Sequence, residues 1–173
     1  MPEFRTITRK EGEPNVELYV FPGNKDNNIV RYATIGVSQQ SVLKKKNELH
    51  ELMIALPKNI GGAGTKEVED YILDLMAYSV SNDTNFTSEM VIPSIRRVPL
   101  IWRQNAVLVD EPSAEAEELQ SFSIGKENIR LLWLLPIYSS EAEKIKQEGL
   151  EWFDEKIEES ELSVIDLARD SFA

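Results

Sequence analysis

Carboxylates are the most abundant side chains in this chain that could do chemistry, and they gather at one end. Residues 110–173 hold 17 Asp and Glu against six Lys and Arg, so the whole net charge of −11 lies in the last third. Residues 1–109 balance, with 13 of each sign. Paired carboxylates can act as general acid and base or hold a metal ion. Asp154-Glu155-Lys156 has the spacing of a nuclease-type acid-x-lysine arrangement. Such arrangements normally rise from strands. This one falls in a helical pattern, in a field that repels nucleic acid.

Counting excludes other chemistries. The 173 residues include no cysteine and one histidine, His50. Thiol catalysis, disulfides and Cys/His zinc sites are ruled out, and a serine triad would have His50 as its sole base. No nucleophile pattern accompanies His50, which reads as structural. Gly61-Gly62-Ala63-Gly64-Thr65-Lys66 lies between a strand and a helix, where phosphate loops occur. Its Gly-Thr-Lys order departs from the Gly-Lys-Ser/Thr such a loop requires. Glu67 occupies the place of the third glycine of a dinucleotide fingerprint and would repel a pyrophosphate. The basic triplet Lys44-Lys45-Lys46 reads as a solvated loop or protected sheet edge. No catalytic, metal-binding or cofactor-binding residue is assigned, and the chain reads as a non-enzyme. The alternative is an enzyme that holds a phosphate-bearing ligand at Gly61–Lys66.

The elements that position these groups follow from periodicity. Ile129–Tyr138 is the longest apolar run, too short to cross a bilayer as a helix, and reads as a central strand covered on both faces. Val16–Phe21 and Ile29–Val37 form a predicted hairpin, and Leu49–Pro57 a third strand. From an N-cap at Thr65, Val68, Tyr71, Ile72, Leu75, Met76 and Ser79 make one helical stripe. Between residues 81 and 128, Val91–Pro93, Pro99–Trp102 and Ala106–Val109 are short extended candidates, and Phe122 and Ile124 lead into the central strand. After that strand, Ser140 and Glu143 suggest a capping box opening one helix. Its apolar stripe runs through Ala142, Ile145, Gly149, Trp152, Phe153 and Ile157, with Gly149 read as a close approach to the sheet. The other face carries Glu141, Glu148, Glu151, Asp154, Glu155, Glu158 and Glu159, the candidate partner-binding residues. The tail from Val164 to Phe172 has enough apolar positions to dock.

The 42% hydrophobic content supports one ordinary core. Residues 1–15 are polar and expected to be loose or partly docked, ahead of a single domain at 16–173. The N-terminus lacks an apolar signal core, so a soluble cytoplasmic protein is expected.

These landmarks resemble the suppressor-of-fused (SUFU) domain family. Tyr32–Ser38 looks like its strand ending in Gly-x-Ser, and Glu51–Pro57 like its Glu-Leu-then-Pro strand. Leu75–Tyr78 is similar to the end of its first long helix. Leu134–Ile137 with Glu141, Gly149 and Leu150 resembles its last strand–helix unit, and Asp166-x-x-Arg169-x-Ser171 its terminal signature. The family's aromatic-to-glycine stretch lacks its glycine here, in Phe86-Thr87-Ser88-Glu89-Met90.

The resemblance implies an α/β (α+β) sandwich with a mixed central sheet flanked by helices, and a binding protein rather than an enzyme. It further implies a bacterial immunity or antitoxin protein that neutralises a polymorphic toxin. The acidic last third fits a basic partner such as a nuclease, with no nucleic acid or membrane as ligand. A regulatory scaffold binding a host protein is a further alternative. The sequence carries no signal of oligomeric state.

Overall fold

The computed structural model describes residues 3–7, 15–22, 28–39, 49–58, 65–81, 85–93, 98–99, 102–112 and 120–173. Strands β1 (Glu3–Ile7), β2 (Val16–Phe21), β3 (Ile29–Ile35), β4 (His50–Pro57), β5 (Met90–Ile92), β6 (Ala106–Asp110), β7 (Ser121–Ile124) and β8 (Glu127–Ile137) form one sheet. Helix α1 (Thr65–Ser81) follows β4, and α2 (Ser139–Glu148) and α3 (Leu150–Glu159) follow β8. Strand order is β1-β2-β3-β4-β8-β6-β5, with β7 also on β8. All pairings are antiparallel except β4 with β8.

The apolar run becomes β8, interior to the sheet as its composition demands. Its alternation sends Leu132 and Leu134 into the layer under α1, and Leu131, Trp133, Leu135 and Ile137 into the layer under α2 and α3. Each such side chain, fully buried, contributes about 2 kcal/mol of hydrophobic free energy. The α1 stripe lands as expected: Val68, Tyr71, Ile72, Leu75 and Met76 are all buried in the first layer. Tyr71 meets Trp102 edge-on, centroids 5.3 Å apart.

Several elements differ from expectation. Glu3–Ile7, in the segment expected to be loose or partly docked, pairs antiparallel with β2 at the sheet edge. Thr65 is the first helical residue of α1 rather than the residue before it. Pro99 and Trp102 belong to no strand and are joined by a turn hydrogen bond of 2.9 Å. Phe122 and Ile124 form a strand of their own, β7, folded onto β8 through Gly125-Lys126, where Gly125 takes φ +63. The sequence Gly61–Gly64 and the Lys44–Lys46 triplet lie outside the described residues.

The junction of β3 and β4 is held by a buried carboxylate. Glu51 is 3% exposed. Its Oε1 accepts from Gly36 N–H at 2.9 Å, Ser38 N–H at 3.1 Å and Ser38 Oγ at 2.8 Å. Its Oε2 accepts from Val37 N–H at 3.1 Å and Thr34 Oγ1 at 2.8 Å. Thr34 Oγ1 in turn accepts from Leu52 N–H at 2.8 Å, beyond the last β3–β4 pair, Ala33 with Met53. Gly36 has φ +106, and a Cβ there would sit 2.4 Å from Asn15 O, so glycine is required. The carboxylate thus caps the 3-10 turn Val37–Gln39 and ends the β3 ladder where β4 begins pairing with β8.

Glu51→Gln turns one acceptor into a donor facing backbone N–H groups that cannot rotate away. We expect a loss of about 3 kcal/mol in unfolding free energy by urea titration, with an unchanged m-value.

Candidate functional site

The acidic surface is built by α2, α3 and the tail. Tyr138, extended at φ −74 and ψ 151, is the N-cap of α2. The expected capping box of Ser140 and Glu143 is displaced: Glu141 Oε2 accepts from Tyr138 N–H at 2.9 Å. Glu141 takes this place because it is fixed from the other side. It is fully buried and forms a two-pronged pair with the equally buried Arg169, at 2.5 Å from Nη1 and 2.9 Å from Nη2. Phe172 N–H donates to Glu141 Oε1 at 3.0 Å. The Arg169 guanidinium also lies over the Phe172 ring, 4.4 Å from its centroid, and donates to Val164 O and Asp170 O. Tyr138 Oη donates to Arg169 O.

Glu141 is therefore not part of the solvated face, contrary to the helical-wheel reading. A wheel assigns faces to one helix and does not see the tail that returns over this one. The tail signature explains itself in the same place. Asp166 Oδ1 accepts from Ala168 N–H at 2.9 Å, shaping the turn, and Ser171 Oγ meets Ser140 Oγ at 2.8 Å.

Gly149 also departs from expectation. It separates α2 from α3 with φ +93 and ψ 170 and is exposed, with open space around a Cβ. Its role is a backbone conformation that redirects the chain, not close packing. The redirected α3 buries Phe153, whose ring meets Phe172 edge-on at 5.8 Å, and half-buries Trp152 and Ile157.

The remaining candidates, Glu148, Glu151, Asp154, Glu155, Glu158 and Glu159, are exposed. Glu148 is paired with Lys144 and Glu159 with Lys156, each at 2.5 Å. The middle of the face gathers carboxylates from other elements. Partial burial, followed by the nearby charges of Asp110, Glu158, Glu89 and Glu151, raises the Asp154 carboxyl above its ordinary range. Asp110 ends β6, and Glu89 precedes β5 in a turn closed by Met90 N–H on Thr87 O. Glu89 has φ +66, a left-handed backbone conformation uncommon for a residue with a side chain. Asp110 and Glu89 stand far from α3 in sequence, and no periodicity could have placed them here.

Other groups singled out in the sequence have structural settings. His50 is buried and meets Phe86 edge-on at 5.8 Å. Lys66 pairs with Asp70 at 2.6 Å on the α1 surface. Among the described residues, no group of three or more His, Asp or Glu is disposed to hold a metal ion, and no helix is long and apolar enough to cross a membrane.

Comparison with known proteins gives a consistent picture. The family model described as Suppressor of fused protein (SUFU) matches residues 12–170. A putative SUFU homolog from Neisseria gonorrhoeae FA 1090 superimposes with a TM-score of 0.74 at 18% identity, covering 99% of this chain and 88% of that one. A chain of the Sufu–Fu complex gives 0.68 at 11% identity, covering 99% and 85%. Drosophila Suppressor of Fused gives 0.61 at 13% identity, covering 84% of this chain and 38% of that one. At these identities the structural likeness is one of fold. No curated protein matches the chain.

Two outcomes test the local architecture. Arg169→Met leaves Glu141 buried and unpaired and should cost about 4 kcal/mol. Combining it with Glu141→Leu should cost less than the sum of the two single losses by about 3 kcal/mol in a double-mutant cycle read by urea unfolding. Gly149→Ala should destabilise by about 1 kcal/mol, through backbone strain without any clash; the same change inside a continuous helix would stabilise.

Proposed function

The chain belongs to the suppressor of fused (SUFU) family, and from that membership we propose that it is a bacterial immunity-type protein that neutralises a basic polymorphic toxin in the cytoplasm. The family supports a non-catalytic protein-interaction domain. The Sufu–Fu structure is that of a complex, which fits a fold used to hold a protein partner.

The observation that carries the proposal is the grouping of the half-buried Asp110 of β6 with the exposed carboxylates of Glu89 and α3 around Asp154. Nuclease surfaces are basic because they bind phosphate. An acidic face presents the same complementary charge, speeds encounter by steering and covers the site once docked. Glu151, Asp154, Glu155 and Glu158 form the centre of this face. Glu148 and Glu159, already engaged by lysines, form its ends.

The test is association with the protein encoded in the neighbouring reading frame, measured by stopped-flow at low and high salt. Charge reversal at Glu151, Asp154, Glu155 and Glu158 should lower the association rate at low ionic strength by about tenfold or more. The difference should shrink at about 0.5 M salt, where screening shortens the reach of surface charges. Equal rates for both proteins at low salt would sink the acidic-steering reading.

A further inference from the structure

Next to the acidic face runs a groove of about 670 Å³ between β5 and α2. Ala142 and Ile145, both buried, belong to its wall on α2, and Val91, Pro93 and Leu150 complete its apolar lining. Its rim is charged, with Glu89 and Glu143 against the single cation Lys146. Among the described residues β5 is the outermost strand on this side of the sheet, so the groove lies where the sheet ends.

Two facts join the groove to the acidic face. Glu89 lines the groove and is also one of the charges acting on Asp154. Leu150 lines it too and is the first residue of α3, immediately before Glu151. An occupant seated on Val91, Ile145 and Leu150 would therefore have its flanks within the field of Glu89, Glu151 and Asp154. An uncharged apolar segment would gain nothing from that field, and an acidic one would be repelled. A basic segment satisfies both the apolar lining and the charge around it.

We propose that the groove between β5 and α2 takes an apolar anchor residue of a basic peptide segment, whose flanking Lys and Arg meet the carboxylates of Glu89 and the α3 face. This rests on the protein-binding reading above and adds the chemistry of the segment recognised. The anchor contributes desolvated contact and the flanks supply rate and orientation, a division common at protein interfaces.

The test uses the full chain, labelled with ¹⁵N, and a twelve-residue peptide of Lys and Arg around a central Phe. Titration should shift the backbone amides of Val91, Ile145 and Leu150 together with those of α3. Replacing the peptide Phe with Gly should weaken binding about tenfold, as expected for loss of a buried anchor. Val91→Arg should do the same by filling the groove and opposing the peptide's charge. Glu89→Lys, at an exposed position, provides a second variant if Val91→Arg fails to fold. Shifts confined to α3, with no dependence on Phe or Val91, would overturn the groove while leaving the acidic-surface reading intact. Absence of any binding by the peptide would also overturn it, and the neighbouring-protein kinetics would then decide the broader reading separately.

Discussion

A carboxylate can leave water only if its oxygens find donors elsewhere, and this fold meets that condition at two places on which the rest depends. At the first, five uncharged donors from Thr34, Gly36, Val37 and Ser38 converge on Glu51. They fix the point where β3 parts from β4 and β4 turns to pair with β8. At the second, Arg169 and two backbone N–H groups satisfy Glu141, clamping the C-terminal tail to the start of α2. Remove either set of donors and a buried charge is left without a partner, which costs far more than the bond itself contributes.

The two clamps join several of the sequence landmarks on which the family resemblance rests. The Gly-x-Ser strand end and the Glu-Leu strand start are separate in sequence, but they are the donor and acceptor halves of one hydrogen-bond network. The same holds for Glu141 and the Asp-x-x-Arg-x-Ser tail. These motifs support the fold. The surface proposed to meet a partner lies outside them, on the exposed side of α3, at Asp110 and at Glu89. That separation is what a binding scaffold needs: a fixed frame whose exposed charges can vary without disturbing the buried ones.

The second clamp also connects frame to surface. Glu141 opens α2, Gly149 turns the chain, and α3 lands with Phe153 under Phe172 of the clamped tail. The direction of the acidic face is therefore set by a buried ion pair and one positive-φ glycine. The groove beside it is walled by the same elements, with Ala142 and Ile145 of α2 and Leu150 of α3 facing Val91 of β5 across it.

Much of the architecture was legible in the sequence. Continuous apolarity marked β8 as interior, because a strand covered on both faces has no position for a polar side chain. The 3.6-residue stripe of α1 and the β2–β3 and β4 patterns were legible for the same reason: each reports which side of a single element faces away from water. Tertiary structure alone decided what depended on a second, distant segment. Glu141 looked like its acidic neighbours until Arg169 arrived from 28 residues away. Gly149 looked like a packing glycine until the chain was seen to turn there. Glu89 and Asp110 joined the acidic face only through the sheet that brings β5 and β6 alongside α2, the helix that leads into α3. Local pattern fixes whether a side chain seeks or avoids water; which distant partner lets a charge be buried, and which charges end up sharing a surface, is settled only when the chain closes on itself.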